Sequence, residues 1–176
     1  MSFRFLLVED NQDIASILVP LLEQLGEPAE VRVASSSGEA VRTLRGFMPD
    51  LMVVDLILGE EDFQASLDSV EHASGFRFIA DCHFDPRTSH IPVLVITGLH
   101  LESRDSVRLR RLAVADILSK PFAMSAFLKA IIPILDAPQN PDAALVRVGS
   151  ESQSLDYKEV IDLSSKSGRA GLAKDV

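Results

Sequence analysis

The chain has 176 residues, a formal net charge of −9 at neutral pH and 47% apolar residues. At this length one core can form without disulfides, and the composition is typical of a globular protein rather than a disordered one. The excess of acids argues against DNA as the main partner, and a single cysteine excludes an internal disulfide. The apolar runs are too short to cross a bilayer, and the N-terminal stretch has no signal-peptide cleavage site. We therefore expect a cytoplasmic protein.

The pattern of apolar residues predicts five strands that alternate with five helices. The strands are short β-prone or continuous apolar runs, and the helices repeat apolar residues at three- and four-residue spacing. In chain order, the elements are strand 3–8, helix 14–25, strand 30–34, helix 37–47, strand 51–54, helix 75–84, strand 92–96, helix 102–113, strand 114–119 and helix 124–135. Such alternation predicts an α/β fold, with a doubly wound parallel sheet and helices on both faces.

Polar and charged side chains follow four of the predicted strands. The carboxyl ends of parallel strands meet at one edge of a sheet, which is where the functional residues of such folds lie. These ends supply Glu9, Asp10, Asp55, Thr97 and Lys120. Each acid alone is more often a turn residue or a helix cap, and a lysine beside a turn is usually solvated. Together, at four strand ends, they indicate a functional site.

The chemistry of this set points to phosphoryl transfer. Clustered carboxylates need a cation to stay ionised, and Mg²⁺ prefers oxygen ligands and commonly joins carboxylates to phosphate oxygens. A carboxylate beside such an ion can attack a phosphoryl group and form an acyl phosphate. A lysine and a hydroxyl can hold the remaining oxygens. The set therefore predicts a phosphoryl-acceptor site, with Asp55 as the central candidate.

Four sequence blocks resemble the receiver domain of two-component response regulators, over residues 1–136. The blocks are Val8-Glu9-Asp10-Asn11, Val53-Val54-Asp55-Leu56, Val95-Ile96-Thr97-Gly98 and Ser119-Lys120-Pro121-Phe122. They stand in the order in which the family has its acidic pair, its acceptor Asp, its Thr or Ser and its Lys-Pro-Phe. The resemblance implies a flavodoxin-like fold with strand order 2-1-3-4-5.

The resemblance also implies roles for the site residues. Asp55 would accept a phosphoryl group from a histidine kinase or a histidine phosphotransfer protein, and Thr97 and Lys120 would hold the phosphoryl oxygens. The implied Mg²⁺ ligands are Asp10, Asp55 and the backbone carbonyl of Ile57, with Glu9 acting through water. The peptide between Lys120 and Pro121 would be cis. Output would pass by protein–protein contact to a downstream protein, with homodimerisation as a further option, and the chain would not be an enzyme.

Two departures from the family pattern carry consequences. The aromatic residue that the family usually has three positions before the lysine is Ile117 here, which is stiff at χ1, so the usual aromatic switch cannot operate as such. The residues two positions beyond Asp55 and Thr97 are Ile57 and Leu99. Neither can orient or deprotonate water, which predicts a slowly hydrolysed acyl phosphate.

Two segments fall outside the family pattern. Gly75 matches the glycine that opens the family's third helix, but 20 residues separate it from Asp55, whereas such connections usually take about 2–6 residues. Residues 59–74 are therefore expected to be an insertion, interpreted as a solvated surface loop, with a partner-selecting element or partial lid as the alternative. Residues 137–176 are expected to be a linker and a C-terminal extension with a short strand and a helix.

Alternatives also remain for a stripe of arginines and for the function of the pocket. Arg104, Arg108 and Arg111 form a basic stripe, expected to be a solvated face paired with Glu102 or Asp105; the alternative is a docking face for an acidic partner or a second copy. The pocket could also serve a receiver-like interaction module without phosphoryl transfer. A phosphatase of the haloacid dehalogenase type ranks last, because it needs a second Asp where this chain has isoleucine.

Overall fold

The computed structural model describes residues 2–26, 28–66 and 69–137. Within these ranges, five parallel strands form one sheet in the order β2-β1-β3-β4-β5. The strands are β1 (Phe3–Val8), β2 (Ala29–Ala34), β3 (Leu51–Asp55), β4 (Val93–Thr97) and β5 (Val114–Ser119). The helices are α1 (Gln12–Glu23), α2 (Ser37–Leu44), α3 (Glu60–Ser66), α4 (Ser74–Phe84), α5 (Ser103–Arg111) and α6 (Met124–Leu135), and a short 3-10 helix covers Val70–His72. The predicted flavodoxin-like α/β fold and its strand order are confirmed.

The central strand β3 and its neighbour β4 are buried on both faces, as their unbroken apolar runs predict. Every residue of β3 and β4 is buried. Alternate side chains of β3 point to opposite faces, so Leu51 and Val53 pack with α1 and α6, whereas Met52 and Val54 pack with α2, α4 and α5. The sheet is thus the middle layer between two apolar clusters, and it holds its strand ends rigidly in place.

The strand register aligns the predicted site residues at one edge of the sheet. Val8 pairs with Val54, so Glu9 and Asp55, the next residues along, extend from neighbouring strands at the same level. Thr97 pairs with Ser119, which places Lys120 one residue beyond the end of β5. The site is therefore assembled by strand pairing between segments that are distant in sequence.

Most helix and strand boundaries lie within one to three residues of the predicted ones. The largest shift is in α2, which was expected to reach Phe47 but ends at Leu44. Phe47 follows the helix and is fully buried, with the guanidinium carbons of Arg4 and Arg32 each 4.3 Å from its ring centroid. The apolar spacing of α2 thus continues to Phe47 in the sequence because this ring is buried at the edge of the sheet. The backbone at Phe47, however, is no longer helical.

The prediction of a solvated loop over residues 59–74 is wrong. The segment contains α3 and the 3-10 helix, and its second half is anchored in the core, with Val70 only 5% exposed and Ala73 fully buried. The apolar side chain within α3, Phe63, is 46% exposed. The sequence therefore showed no helical period there. The contacts of this helix include polar ones near its two ends, from Asp62 and from the Ala65 carbonyl. The predicted strand and helix in 137–176 lie outside the described residues.

Candidate functional site

The lysine at the end of β5 joins two of the predicted acids. The Lys120 ammonium donates to Glu9 Oε2 and to Asp55 Oδ2, each at 2.7 Å. All three side chains are nearly buried, with 9% or less of each exposed. Because hydrogen bonds between ionised groups are strong when they are shielded from water, this lysine fixes the positions of both carboxylates.

A third carboxylate completes an acidic cluster at the same place. Glu9, Asp10 and Asp55 each offer an oxygen within 4.8 Å of the others, and Asp10 is exposed to solvent. One lysine cannot neutralise three carboxylates, so the pocket is suited to a cation. An all-oxygen donor set with one side open to water fits Mg²⁺, which keeps several of its own waters. These residues therefore fit the expected ion.

Burial makes the ionisation of this cluster costly. Burial, with the nearby charge of Asp55 as the next cause, raises the pKa of Glu9 to about 7. Burial also raises the pKa of Asp55, although Lys120 opposes the shift. For Lys120, burial lowers the pKa, but attraction to Asp55 and Glu9 outweighs it, and the pKa lies above its ordinary value. The lysine therefore stays charged while the acids compete for a proton or a cation.

Backbone donors orient the two buried carboxylates. The Asn11 N–H donates to Glu9 Oε1 at 3.1 Å, and the Ile57 N–H donates to Asp55 Oδ1 at the same distance. Asn11 in turn caps α1, because its side-chain oxygen accepts from the backbone N–H groups of Asp13 and Ile14. Each acid thus uses one oxygen for the backbone and the other for Lys120.

A glycine is required where α4 passes the end of β3. Gly75 donates its N–H to the carbonyl of Leu56 at 3.0 Å. A Cβ added to Gly75 would lie 2.0 Å from the Asp55 carbonyl oxygen and 2.7 Å from Leu56 Cα, both of them backbone atoms. A larger residue would therefore force the backbone at the end of β3 to move.

The fourth strand ends beside this pocket. Thr97 is fully buried, and its hydroxyl accepts from the Leu99 N–H at 3.1 Å, while its carbonyl accepts from the Lys120 N–H at 2.7 Å. The peptide between Lys120 and Pro121 is cis, as the resemblance implied. Thr97 and Lys120 are thereby linked through the backbone, and their roles as phosphoryl ligands remain predictions.

The residues that depart from the family pattern are partly buried apolar side chains. Ile57 and Leu99 are half-buried and pack against the apolar cluster beneath α4 and α5. Ile117 on β5 is also half-buried against this cluster. Slow hydrolysis of the acyl phosphate and the loss of the aromatic switch therefore remain predictions.

One residue of the segment 59–74 has a role that the sequence did not reveal. Asp62 lies in the part of the chain that was expected to be a solvated loop, but its carboxylate is half-buried and accepts three hydrogen bonds, from the Leu58 N–H and from the N–H and hydroxyl of Ser74. Ala73, which precedes α4, makes no side-chain cap. No sequence pattern signals this contact, because Ser74 directly precedes the predicted helix 75–84 and is itself a preferred capping residue.

Two arginines of the basic stripe on α5, Arg104 and Arg108, form the expected ion pairs. Arg104 lies 2.9 Å from Glu102, and Arg108 lies 3.4 Å from Asp105. Arg108 also lies 3.2 Å from Glu71 in the 3-10 helix, which the sequence did not predict. This ion pair links the segment 59–74 to α5.

No helix in the described part of the chain is long and apolar enough to span a membrane.

Comparison with known proteins agrees with this geometry. Residues 5–132 match the family described as the response regulator receiver domain. The regulatory protein VirG of Agrobacterium tumefaciens (strain 15955) is 29% identical over 126 residues, which are 72% of this chain and 41% of that protein. The Regulator of RpoS of Escherichia coli (strain K12) is 30% identical over 118 residues, or 67% of this chain and 30% of that protein. The chain thus spans less than half the length of these relatives.

Solved structures show the same fold at low sequence identity. A response regulator receiver domain protein from Methanospirillum hungatei JF-1 superposes with a TM-score of 0.62 at 20% identity. The alignment covers 77% of this chain and 95% of that one. This likeness concerns the sheet and its helices.

Proposed function

The chain belongs to the response regulator receiver domain family, and on that premise we propose that Asp55 accepts a phosphoryl group during two-component signal transduction. The observation that carries the proposal is the pair of 2.7 Å hydrogen bonds from the Lys120 ammonium to Asp55 and Glu9, beside a cluster of three acids. In this arrangement Asp55 supplies the acceptor oxygen, the Lys120 ammonium supplies a cation for the phosphoryl oxygens, and the acidic cluster supplies a site for a metal ion.

The chemical step is a displacement at phosphorus. A carboxylate oxygen of Asp55 forms a bond to phosphorus, and the bond from phosphorus to the donor histidine nitrogen breaks, with its electron pair returning to the imidazole. The Lys120 ammonium and the Thr97 hydroxyl then donate to the phosphoryl oxygens. Mg²⁺ would be held by Asp10, Asp55 and the Ile57 carbonyl, with Glu9 through water, and would neutralise negative charge on the phosphoryl group.

The partners in this proposal are a histidine kinase or a histidine phosphotransfer protein as the donor and a downstream protein as the receiver of the signal. The chain would act as a phosphoryl acceptor and not as an enzyme on a small substrate. Output would pass through protein–protein contact. The cytoplasmic location and the absence of DNA binding stay predictions from the sequence.

Labelling with a small phosphodonor tests the proposal. Acetyl phosphate with Mg²⁺ is expected to label the full chain and the Asp13→Asn variant, whose exposed side chain lies outside the pocket, but not the Asp55→Asn variant. An unlabelled but folded wild type would instead favour the interaction module without phosphoryl transfer. Labelling of Asp55→Asn at the wild-type level would contradict the assignment of the acceptor.

A further inference from the structure

We propose that Asp62 is a positioning residue that orients the backbone carbonyl of Ile57 and thereby sets the affinity of the site for Mg²⁺. The inference rests on the proposed function, in which this carbonyl is a metal ligand. Asp62 lies in the insertion between β3 and α4, seven residues beyond Asp55. It therefore adds to the site a residue that the four family blocks do not contain.

The Asp62 carboxylate holds the loop that follows the acceptor. Its Oδ2 accepts from the Leu58 N–H at 2.8 Å. The Leu58 N–H and the Ile57 C=O belong to one peptide unit, which is planar and trans, so the two groups point in opposite directions. Fixing the direction of this N–H therefore fixes the direction of the Ile57 carbonyl.

The residue on the other side of this peptide is restrained as well. The Ile57 N–H donates to Asp55 Oδ1 at 3.1 Å, on the acceptor side chain itself. The backbone from Asp55 to Leu58 is thus tied to one carboxylate at each end. A rotation of the peptide between Ile57 and Leu58 would break the hydrogen bond to Asp62, so this bond holds the carbonyl in a single orientation before any ion arrives.

The Asp62 carboxylate is itself held in place by hydrogen bonds from Ser74. Oδ1 accepts from the Ser74 N–H at 2.7 Å, and the Ser74 hydroxyl donates to Oδ2 at 2.8 Å. Ser74 begins α4, whose preceding residue, Ala73, makes no side-chain cap, so Asp62 acts as the missing cap. A negative charge is also favourable at this end of a helix. The carboxylate therefore connects the metal-binding loop to a helix whose inner face packs in the core.

A matched pair of variants separates positioning from charge. Asp62→Asn puts an amide N–H₂ in place of one acceptor oxygen, whereas Glu61→Gln removes the same charge from the exposed neighbouring residue. Mg²⁺ binding to the full chain is measured by titration calorimetry, without a phosphodonor. We expect Asp62→Asn to raise the Kd for Mg²⁺ about tenfold, the usual size of such an effect, and Glu61→Gln to leave it near the wild-type value.

The labelling rate gives a second readout that a merely structural role would not produce. With acetyl phosphate, Asp62→Asn should need more Mg²⁺ to reach half of its maximal rate, but the rate at saturating Mg²⁺ should stay close to that of the wild type. Ser74→Ala removes one hydrogen bond to the same carboxylate and leaves the bond from Leu58. Its Mg²⁺ affinity should therefore match that of the wild type.

A more conservative variant covers the case in which Asp62→Asn does not fold. Asp62→Glu keeps the charge but displaces the carboxylate by one methylene, and weaker Mg²⁺ binding by this variant would also support the inference. If every folded Asp62 variant binds Mg²⁺ as Glu61→Gln does, the inference is wrong while the proposed function stands. If the wild type itself neither binds Mg²⁺ nor becomes labelled, both are wrong.

Discussion

At the scale of single residues, the buried carboxylate of Glu9 makes the metal-free protein sensitive to pH. Burial raises its pKa from 4.5 to about 7, so between these values the folded protein keeps a proton that the unfolded chain has released. Stability must then fall as pH rises from about 4.5 to about 7, because the native state binds more protons than the unfolded state. The raised pKa of Asp55 acts in the same direction.

Urea unfolding of the metal-free protein at several pH values measures this effect. The wild type should lose stability across this range relative to Glu9→Gln, whose amide does not titrate. Adding Mg²⁺ should reduce the loss, because a cation replaces the proton as partner of the carboxylates. Parallel pH profiles for the two proteins without metal would contradict the raised pKa.

The close approach of Gly75 to the acceptor strand gives a second prediction at this scale. Gly75→Ala would place Cβ 2.0 Å from the Asp55 carbonyl oxygen, so we expect a loss of about 1–3 kcal/mol in the free energy of unfolding, as for other overpacked sites, and slower labelling. Gly46→Ala is the control, because nothing lies within 4 Å of its added Cβ. Equal stability of the two variants, measured by urea unfolding, would refute this account of the glycine.

The lifetime of the phosphoryl group is decided by the residues around it. Ile57 and Leu99 cannot position water, so the acyl phosphate should persist for minutes or longer in the wild type. Leu99→Glu adds a carboxylate there and should shorten this lifetime about tenfold, a small part of what a well-placed base contributes. Leu99→Met is the apolar control. Decay of labelled wild type within seconds would rule out the prediction.

At the scale of elements, the segment 59–74 is anchored by burial at its second half and not by its largest side chain. Val70 is 5% exposed and Phe63 is 46% exposed. Val70→Ala should cost about 1.6 kcal/mol, since it removes two buried methyl groups, whereas Phe63→Ala should cost less. Thermal and urea unfolding of both variants measure the order, and a larger loss from Phe63→Ala would contradict this anchoring.

The elements that sequence could predict are those whose own residues face the core. β3 and β4 are unbroken apolar runs and are buried throughout, and α1 shows its buried stripe at helical spacing even through Pro20. α3 could not be predicted in this way, because its large apolar residue, Phe63, is exposed. Its contacts outside the helix include polar ones, from Asp62 to Leu58 and Ser74 and from the Ala65 carbonyl to His72, and these leave no apolar period in the sequence.

At the scale of the whole molecule, the sheet brings together residues up to 111 positions apart, the separation between Glu9 and Lys120. The identity of these residues could be predicted from the strand ends, because parallel strands share one functional edge. That Lys120 bridges two acids, and that Asp62 ties α4 to the loop after Asp55, could not, since both depend on side-chain geometry created by packing.

Under the proposed function, this assembly makes Asp55 the phosphoryl acceptor. Borohydride reduces an aspartyl phosphate to homoserine, so peptide mapping of the protein after treatment with phosphodonor, Mg²⁺ and then borohydride locates the modified residue. We predict homoserine at the position of Asp55, and none when Mg²⁺ is withheld. Homoserine at Asp10 or at another acid instead, or a folded protein that yields none with any phosphodonor, would contradict the account.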